Sequence, residues 1–270
     1  MGGSIATARA TLAVSEARGG RSGAGVLNYQ RRADLSRRRN PTQESDDQFM
    51  PPPRAVVFDM DGLMFNTEDV YYQVGCEVLR RRGHEFTKEL SDAMMGRPPQ
   101  PSFELMIQWH SLDDTWRQLS MESEGVFVEL LDGYLAPMPG LLELLDYLEQ
   151  AGIPKAICTS SSRNVLSAVL SRMEMEPRFQ FTLTAEDIVE GKPAPEIYLK
   201  AAARFQLRPA EMLVLEDSST GCRAAAAAGA FAVAVPGEHS RGQDFSVASL
   251  VIDSLADPRL YAVLRADGGE

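Results

Sequence analysis

Two aspartates separated by one residue follow the first strongly apolar segment of this 270-residue chain. The segment Ala55–Phe58 is typical of a buried parallel strand, and Asp59 and Asp61 come directly after it. Ligands of open α/β sheets bind at this carboxyl end of the strands, and Gly62 lets the chain turn there. Two carboxylates this close repel unless a cation lies between them. The segment therefore indicates a metal site in which one acid is a nucleophile and the other carries a proton, with an ordinary Asp-Gly turn as the alternative.

A second apolar segment, residues 155–158, runs into the hydroxyls of Thr159 and Ser160 ahead of a helical pattern. Hydroxyls and free backbone N–H groups at a helix start can bind an anion such as a phosphate. The alternative is a plain helix N-cap.

Further along, Lys192 stands between a glycine and a proline in a turn of preset shape. It is either a loop lysine in solvent or a cation that neutralises phosphate charge.

The fourth signal is the apolar run 212–215, which ends in Glu216 and Asp217. Hard carboxylate oxygens of this kind suit Mg²⁺, although an N-cap aspartate with an incidental neighbour would look the same. A helix that contains the alanine run Ala224 to Ala228 is predicted to follow and to end at Gly229. Each signal is weak alone, and their fixed order makes them specific together.

In this order, the segments "FDMDGLMFNTE", "CTSSS", "GKPAPEIY" and "LEDSSTGCRAAAAAG" resemble the haloacid dehalogenase superfamily of phosphohydrolases. The similarity is to the branch with a helical cap inserted after the first motif, which includes pseudouridine 5′-phosphatase and β-phosphoglucomutase. It spans roughly residues 53–257. The resemblance implies a doubly wound, Rossmann-like parallel sheet, an aspartyl-phosphate intermediate and Mg²⁺ as cofactor.

The resemblance also assigns roles to individual residues. It makes Asp59 the nucleophile and Asp61 the general acid and base. The predicted phosphate and substrate contacts are Thr159, Ser160, Lys192 and, from the cap, Arg97. The predicted metal ligands are Asp59, Asp61 through its backbone carbonyl, Glu216 and Asp217. Asn66 departs from the aspartate that is common at its position in this family, so its role is open.

Helical spacing without strand signals between the first and second motifs predicts the domain organisation. We expect a Rossmann-like core made of residues 51–67 and 136–262, and a helical cap over residues 68–135. The ends are predicted to be a tail of residues 1–50 and a short tail of residues 263–270. Residues 1–49 contain eight arginines and are rich in Gly, Ser and Ala, and we expect them to be disordered or absent from the native protein.

Composition narrows the class of protein further. Three scattered cysteines do not suggest a disulfide framework or a zinc site, and they favour a reducing cytoplasm. The net charge is −11 overall and +3 over residues 1–49, which leaves −14 for the remainder. That charge disfavours nucleic acid and anionic membranes as partners. We expect a monomer that binds a small phosphorylated metabolite.

Three functions compete on these residues. A phosphatase passes the phosphoryl group to water, whereas a β-phosphoglucomutase-like mutase passes it to a second hydroxyl of a sugar phosphate. A mutase needs cap cations that grip a second phosphate, and the candidates are Arg80, Arg81, Arg82, Arg97 and Arg117. Tyr71 stands where the mutase pattern has histidine, so a phosphatase of a sugar phosphate or a nucleoside monophosphate is favoured. A non-catalytic binding protein is disfavoured because Asp59, Asp61 and Lys192 are all present.

Overall fold

A computed structural model describes residues 52–95 and 97–265 of the chain. The predicted N-terminal tail of residues 1–50 lies outside these residues, and so do Pro51, Gly96 and residues 266–270.

Six strands form one sheet in which every neighbouring pair is parallel. The strands are β1 (Ala55–Phe58), β2 (Lys155–Cys158), β3 (Thr182–Leu183), β4 (Met212–Glu216), β5 (Phe231–Ala234) and β6 (Leu250–Val251). Their order across the sheet is β3-β2-β1-β4-β5-β6. The order reverses direction at β1, so the doubly wound α/β sheet predicted from the sequence is confirmed.

Nine α-helices accompany the strands within the described residues. They are α1 (Thr67–Arg80), α2 (Lys88–Met94), α3 (Pro99–His110), α4 (Trp116–Tyr134), α5 (Leu141–Gln150), α6 (Arg163–Arg172), α7 (Glu196–Phe205), α8 (Ser219–Ala228) and α9 (Pro258–Arg265). Helix α9 extends past the predicted end of the core at residue 262. The reason is that Leu260 and Leu264, one turn apart, are both buried.

The two faces of the sheet carry separate apolar clusters, because side chains alternate along each strand. In β1, Val56 and Phe58 join the cluster that holds the leucines of α5 and α9. Ala55 and Val57 face the other way, against α7 and α8. The alanines of α8 are buried there, so the alanine run serves close helix packing. None of the described helices is long and apolar enough to span a lipid bilayer.

Helices α1 to α4 form a block between β1 and α5 that we call the helical insertion (residues 67–134). It contains only helices and turns among its described residues. Helix α1 packs along α4, and the ring centroids of Tyr71 on α1 and Phe127 on α4 lie 4.7 Å apart. Its two connections to the sheet meet at Asn66, whose Nδ2 donates to the Tyr134 carbonyl (3.0 Å) and whose Oδ1 accepts from the Ala136 N–H (2.6 Å).

Candidate active site

The polar residues predicted from four separate segments meet at the carboxyl edge of the sheet. Strand β1 delivers Asp59 and Asp61, β2 delivers Thr159, and β4 ends in Glu216. The strands are neighbours in the order β2-β1-β4, and Phe58 pairs with Ile157 on one side and with Leu215 on the other. Parallel pairing in this register brings the residues after each strand to one place.

Lys192 lies at the centre of these residues, in the loop before α7. Its Nζ donates to Asp59 Oδ1, to Glu216 Oε1 (2.7 Å) and to the Cys158 carbonyl oxygen (3.0 Å). Burial lowers the pKa of Lys192, but the carboxylates of Asp59 and Glu216 outweigh it and hold that pKa well above its ordinary value. Lys192 is therefore a permanent buried cation rather than a loop lysine in solvent.

Glu216 is fully buried and tightly surrounded. Its carboxylate accepts hydrogen bonds from Tyr198 Oη and from Ser218 Oγ (3.1 Å) as well as from Lys192. A Cβ built on Gly221 would lie 1.9 Å from this carboxylate, so the first turn of α8 approaches it closely enough to require glycine. Tyr198 and Gly221 were not predicted as site residues, although both lie within the segments that carried the family resemblance.

Asp59, Glu216 and Asp217 could together hold a metal ion, because one oxygen from each lies within 4.8 Å of the others. Burial, opposed by Lys192, raises the pKa of Asp59 to about 8. Burial and then Asp59 raise the pKa of Asp217 well above its ordinary value. Raised pKa values show that the nearby positive charge does not fully offset these clustered carboxylates. A hard divalent cation such as Mg²⁺ would supply the missing positive charge. The donor set fits the predicted cofactor.

The Asp61 side chain lies outside this cluster. Its Oδ2 accepts from Thr159 Oγ1 (3.0 Å) and from Ser161 Oγ (2.7 Å), and its buried Oδ1 has no hydrogen-bond partner among the described residues. The carboxyl group thus rests on the hydroxyls after β2 and is separated from the metal cluster. Its predicted contribution to the metal, through the backbone carbonyl, stays a prediction.

The turn directly after Asp61 depends on glycine. Gly62 has φ = 72°, and a Cβ there would lie 2.5 Å from Asp217 Oδ2. The sequence-based interpretation of Gly62 as a turn residue agrees with this conformation. The close approach also brings the β1 loop against the acid that follows β4.

A cavity of about 630 Å³ opens above these groups. Asp59, Asp61, Lys192 and Asp217 line its floor, and Ser160 and Arg97 line its wall. Thr159 is fully buried beneath Asp61, and its Oγ1 also accepts from the Ser161 N–H (2.9 Å). Arg97 follows α2, is exposed, and donates from Nε to the Ala93 carbonyl (2.7 Å).

The other arginines that could have gripped a second phosphate have partners of their own. Arg80 and Arg81 pair with Glu77, and Arg82 pairs with Asp114 and Glu122. Arg117 lies over the Trp116 ring at 4.6 Å. Of the five cap arginines named from the sequence, only Arg97 lines this cavity, within the part of the chain that the structure describes.

The fold and the acidic site are those of a hydrolase family. Residues 56–235 match the haloacid dehalogenase-like hydrolases, and the chain belongs to this family. The predicted family and fold class are therefore confirmed.

Relatives of known name agree with this assignment. The chain is 31% identical to the phosphorylated carbohydrates phosphatase of Thermotoga maritima, over 65% of this chain and 81% of that protein. It is 32% identical to a Drosophila melanogaster protein named a probable pseudouridine-5′-phosphatase, over 74% and 89% respectively. The crystal structure of CbbY from Rhodobacter sphaeroides in complex with phosphate superimposes with a TM-score of 0.68 at 25% identity, covering 76% of this chain and 96% of CbbY. These similarities support the predicted phosphoric monoester hydrolase.

Proposed function

We propose that this chain is a Mg²⁺-dependent phosphatase that hydrolyses a small phosphorylated metabolite through an aspartyl-phosphate. The observation that carries the proposal is the separation of the two aspartates of the β1 loop. Asp59 lies with Lys192 and the acidic cluster, whereas the Asp61 carboxyl group rests on two hydroxyls. A nucleophile and a proton carrier need such different surroundings.

In the first step an oxygen of Asp59 attacks the phosphorus of the ester. Lys192 holds the other carboxylate oxygen and fixes the direction of attack. As the new O–P bond forms, the bond from phosphorus to the ester oxygen breaks. Asp61 gives its proton to the departing oxygen, which leaves as an alcohol.

In the second step water attacks the phosphorus of the aspartyl-phosphate. Asp61, now a carboxylate, takes the proton of that water, and the O–P bond to Asp59 breaks to release inorganic phosphate. Thr159 and Ser160 bind the phosphoryl oxygens in both steps. A phosphate that draws the Thr159 hydroxyl away leaves Asp61 held by Ser161 alone, so its carboxyl group turns more easily toward the ester oxygen.

Asp59, Glu216 and Asp217, with the Asp61 backbone carbonyl, would hold the metal ion. When bound, Mg²⁺ offsets the charge that the transferring phosphoryl group shares with these carboxylates. Lys192, which contacts both Asp59 and Glu216, contributes a second fixed positive charge beside the nucleophile.

Transfer to water is favoured over transfer to a second hydroxyl. A mutase must hold a doubly phosphorylated intermediate, and three of the arginines that could do so are engaged with Glu77, Asp114 and Glu122. A single exposed arginine, Arg97, is left at the cavity among the described cap arginines. Water should therefore outcompete a sugar hydroxyl whenever the helical insertion opens.

The test measures phosphate release from a panel of sugar phosphates and nucleoside monophosphates, with Mg²⁺ and with EDTA. We expect Mg²⁺-dependent release, and a fall of roughly a thousandfold or more in kcat for Asp59→Asn. Asp113→Asn, an exposed aspartate between α3 and α4, is the matched control and should keep its activity. Undiminished turnover by Asp59→Asn, or full activity in EDTA, would disprove the mechanism. Conversion of β-glucose 1-phosphate to glucose 6-phosphate faster than phosphate release would indicate the mutase.

A further inference from the structure

A second cavity, of about 430 Å³, lies between the helical insertion and the start of α6. It adjoins the cavity at the strand ends, because Glu68, Arg97 and Ser160 line both. A ligand whose phosphate reaches Asp59 would therefore place the rest of its structure in this second cavity. We call it the insertion pocket.

Aromatic rings form much of the wall of the insertion pocket. Tyr71 packs on Phe127 with ring centroids 4.7 Å apart, and Tyr72 packs on Phe86 at 5.5 Å. Phe103, on α3, is only partly buried and completes the wall. Flat apolar surfaces of this kind suit a planar ring in the ligand, which gains both burial and stacking.

The position of one of these rings depends on a glycine of α1. A Cβ built on Gly75 would lie 2.6 Å from the ring of Phe86, so a side chain at this position would displace the ring. Phe86 is only 6% exposed and also belongs to the apolar core. The aromatic wall is thus held by core packing and is formed before any ligand binds.

The polar groups of the insertion pocket suit an uncharged partner. Its charged residues, among those described, are Glu68, Glu124 and Arg97. Arg97 stands where the two cavities join, so a second anionic group deeper in the pocket would meet carboxylates without a matching cation. Hydroxyl groups also line the pocket, and those of the helical insertion include Ser91, Ser102, Ser120 and Ser123. Carboxylates and hydroxyls together bind N–H and O–H groups of a ligand.

We propose that the preferred substrate class of this phosphatase is a nucleoside 5′-monophosphate, with the base in the insertion pocket and the ribose hydroxyls near Glu68 and Ser160. The assignment rests on the proposed function and extends it. A bare sugar phosphate has no planar aromatic ring to stack on the aromatic wall. An ester with a second phosphate or a carboxylate would be opposed by Glu124.

The test compares two esters that differ only in the base, uridine 5′-monophosphate and ribose 5-phosphate. We expect kcat/KM to favour the nucleotide by about tenfold or more, the range of a stacked base. Phe103→Leu keeps an apolar side chain and removes the ring, so it should reduce this preference by roughly tenfold. Trp109→Leu removes an aromatic ring that is 49% exposed on the same helix and lies outside the pocket lining, and it should leave the preference unchanged.

Binding of the same two esters to Asp59→Asn, measured by calorimetry, separates this proposal from the proposed function. Tighter binding of the nucleotide supports the pocket assignment even if the wild type releases no phosphate, in which case the proposed function alone fails. Hydrolysis of both esters with equal kcat/KM, together with equal binding, overturns the pocket assignment and leaves the phosphatase standing. A preference that survives Phe103→Leu undiminished also overturns it.

Discussion

At the scale of single residues, the site depends on residues that take no part in the reaction but hold the acidic side chains in place. Gly221 is the clearest case, because the first turn of α8 passes the Glu216 carboxylate at a distance that leaves no room for a Cβ. Tyr198, on α7, donates a hydrogen bond to the same carboxylate. Both residues hold an acid whose position defines the metal cluster.

We predict that Gly221→Ala displaces the Glu216 carboxylate or shifts α8. Overpacking of this kind lowers the free energy of unfolding by about 1–3 kcal/mol, and affinity for Mg²⁺ should fall with it. Urea unfolding and Mg²⁺ titration measure the two effects.

Gly125→Ala is the matched control, because this helical glycine of α4 has no atom within 4 Å of its added Cβ. It should stabilise the protein by roughly 0.5–1 kcal/mol through helix propensity. Equal stability and equal Mg²⁺ affinity in Gly221→Ala would refute the prediction.

At the scale of elements, the sequence predicts the strand ends well, because each is an apolar run that stops at polar residues. Asp59, Thr159 and Glu216 come together because parallel strands in the order β2-β1-β4 end at one edge. Local patterns carry that information, since the alternation of strands and helices implies a parallel sheet.

Local sequence patterns do not predict which side chains pair with one another in and around the site. That Ser161, one residue past the predicted Ser160, donates to Asp61 depends on how the loop after β2 turns. That Arg82 pairs with Asp114 rather than facing the site depends on the packing of α1 against α4. Such pairings join residues far apart in the chain, and spacing along the sequence does not encode them.

Asn66, which departs from the usual family residue, is explained at this scale. Its amide joins the two connections between the sheet and the helical insertion by contacts to Tyr134 and Ala136. We predict that Asn66→Ala loosens this junction and speeds hydrogen exchange of the Ala136 amide by about fivefold, the effect of losing roughly 1 kcal/mol of hydrogen bonding. Asn164→Ala, at an exposed position on α6, is the control. Unchanged exchange at Ala136 would show that the junction is held by other contacts.

At the scale of the whole molecule, the buried carboxylates connect metal binding to folding. Asp59 has its pKa raised to about 8 by burial, and Asp217 has its pKa raised well above the ordinary value. A carboxyl group whose pKa is higher in the folded than in the unfolded state favours folding at low pH, and it loses that contribution as pH rises through the folded value. Without metal, stability should therefore fall between about pH 4 and pH 8.

Mg²⁺ should reverse this loss, and by more at pH 8 than at pH 6, because the ion binds the deprotonated carboxylates and displaces their protons. At a Mg²⁺ concentration a hundred times Kd, mass action adds about 2.7 kcal/mol to the free energy of unfolding. For a protein of this size, that corresponds to a Tm increase of roughly 5–10 °C.

Thermal unfolding at the two pH values, with Mg²⁺ and with EDTA, measures the effect. Asp217→Asn removes one carboxylate of the cluster and should shrink the Mg²⁺ increment at pH 8, whereas Asp113→Asn should leave it intact. A Tm increment that is equal at both pH values, or that persists in Asp217→Asn, would place the metal elsewhere.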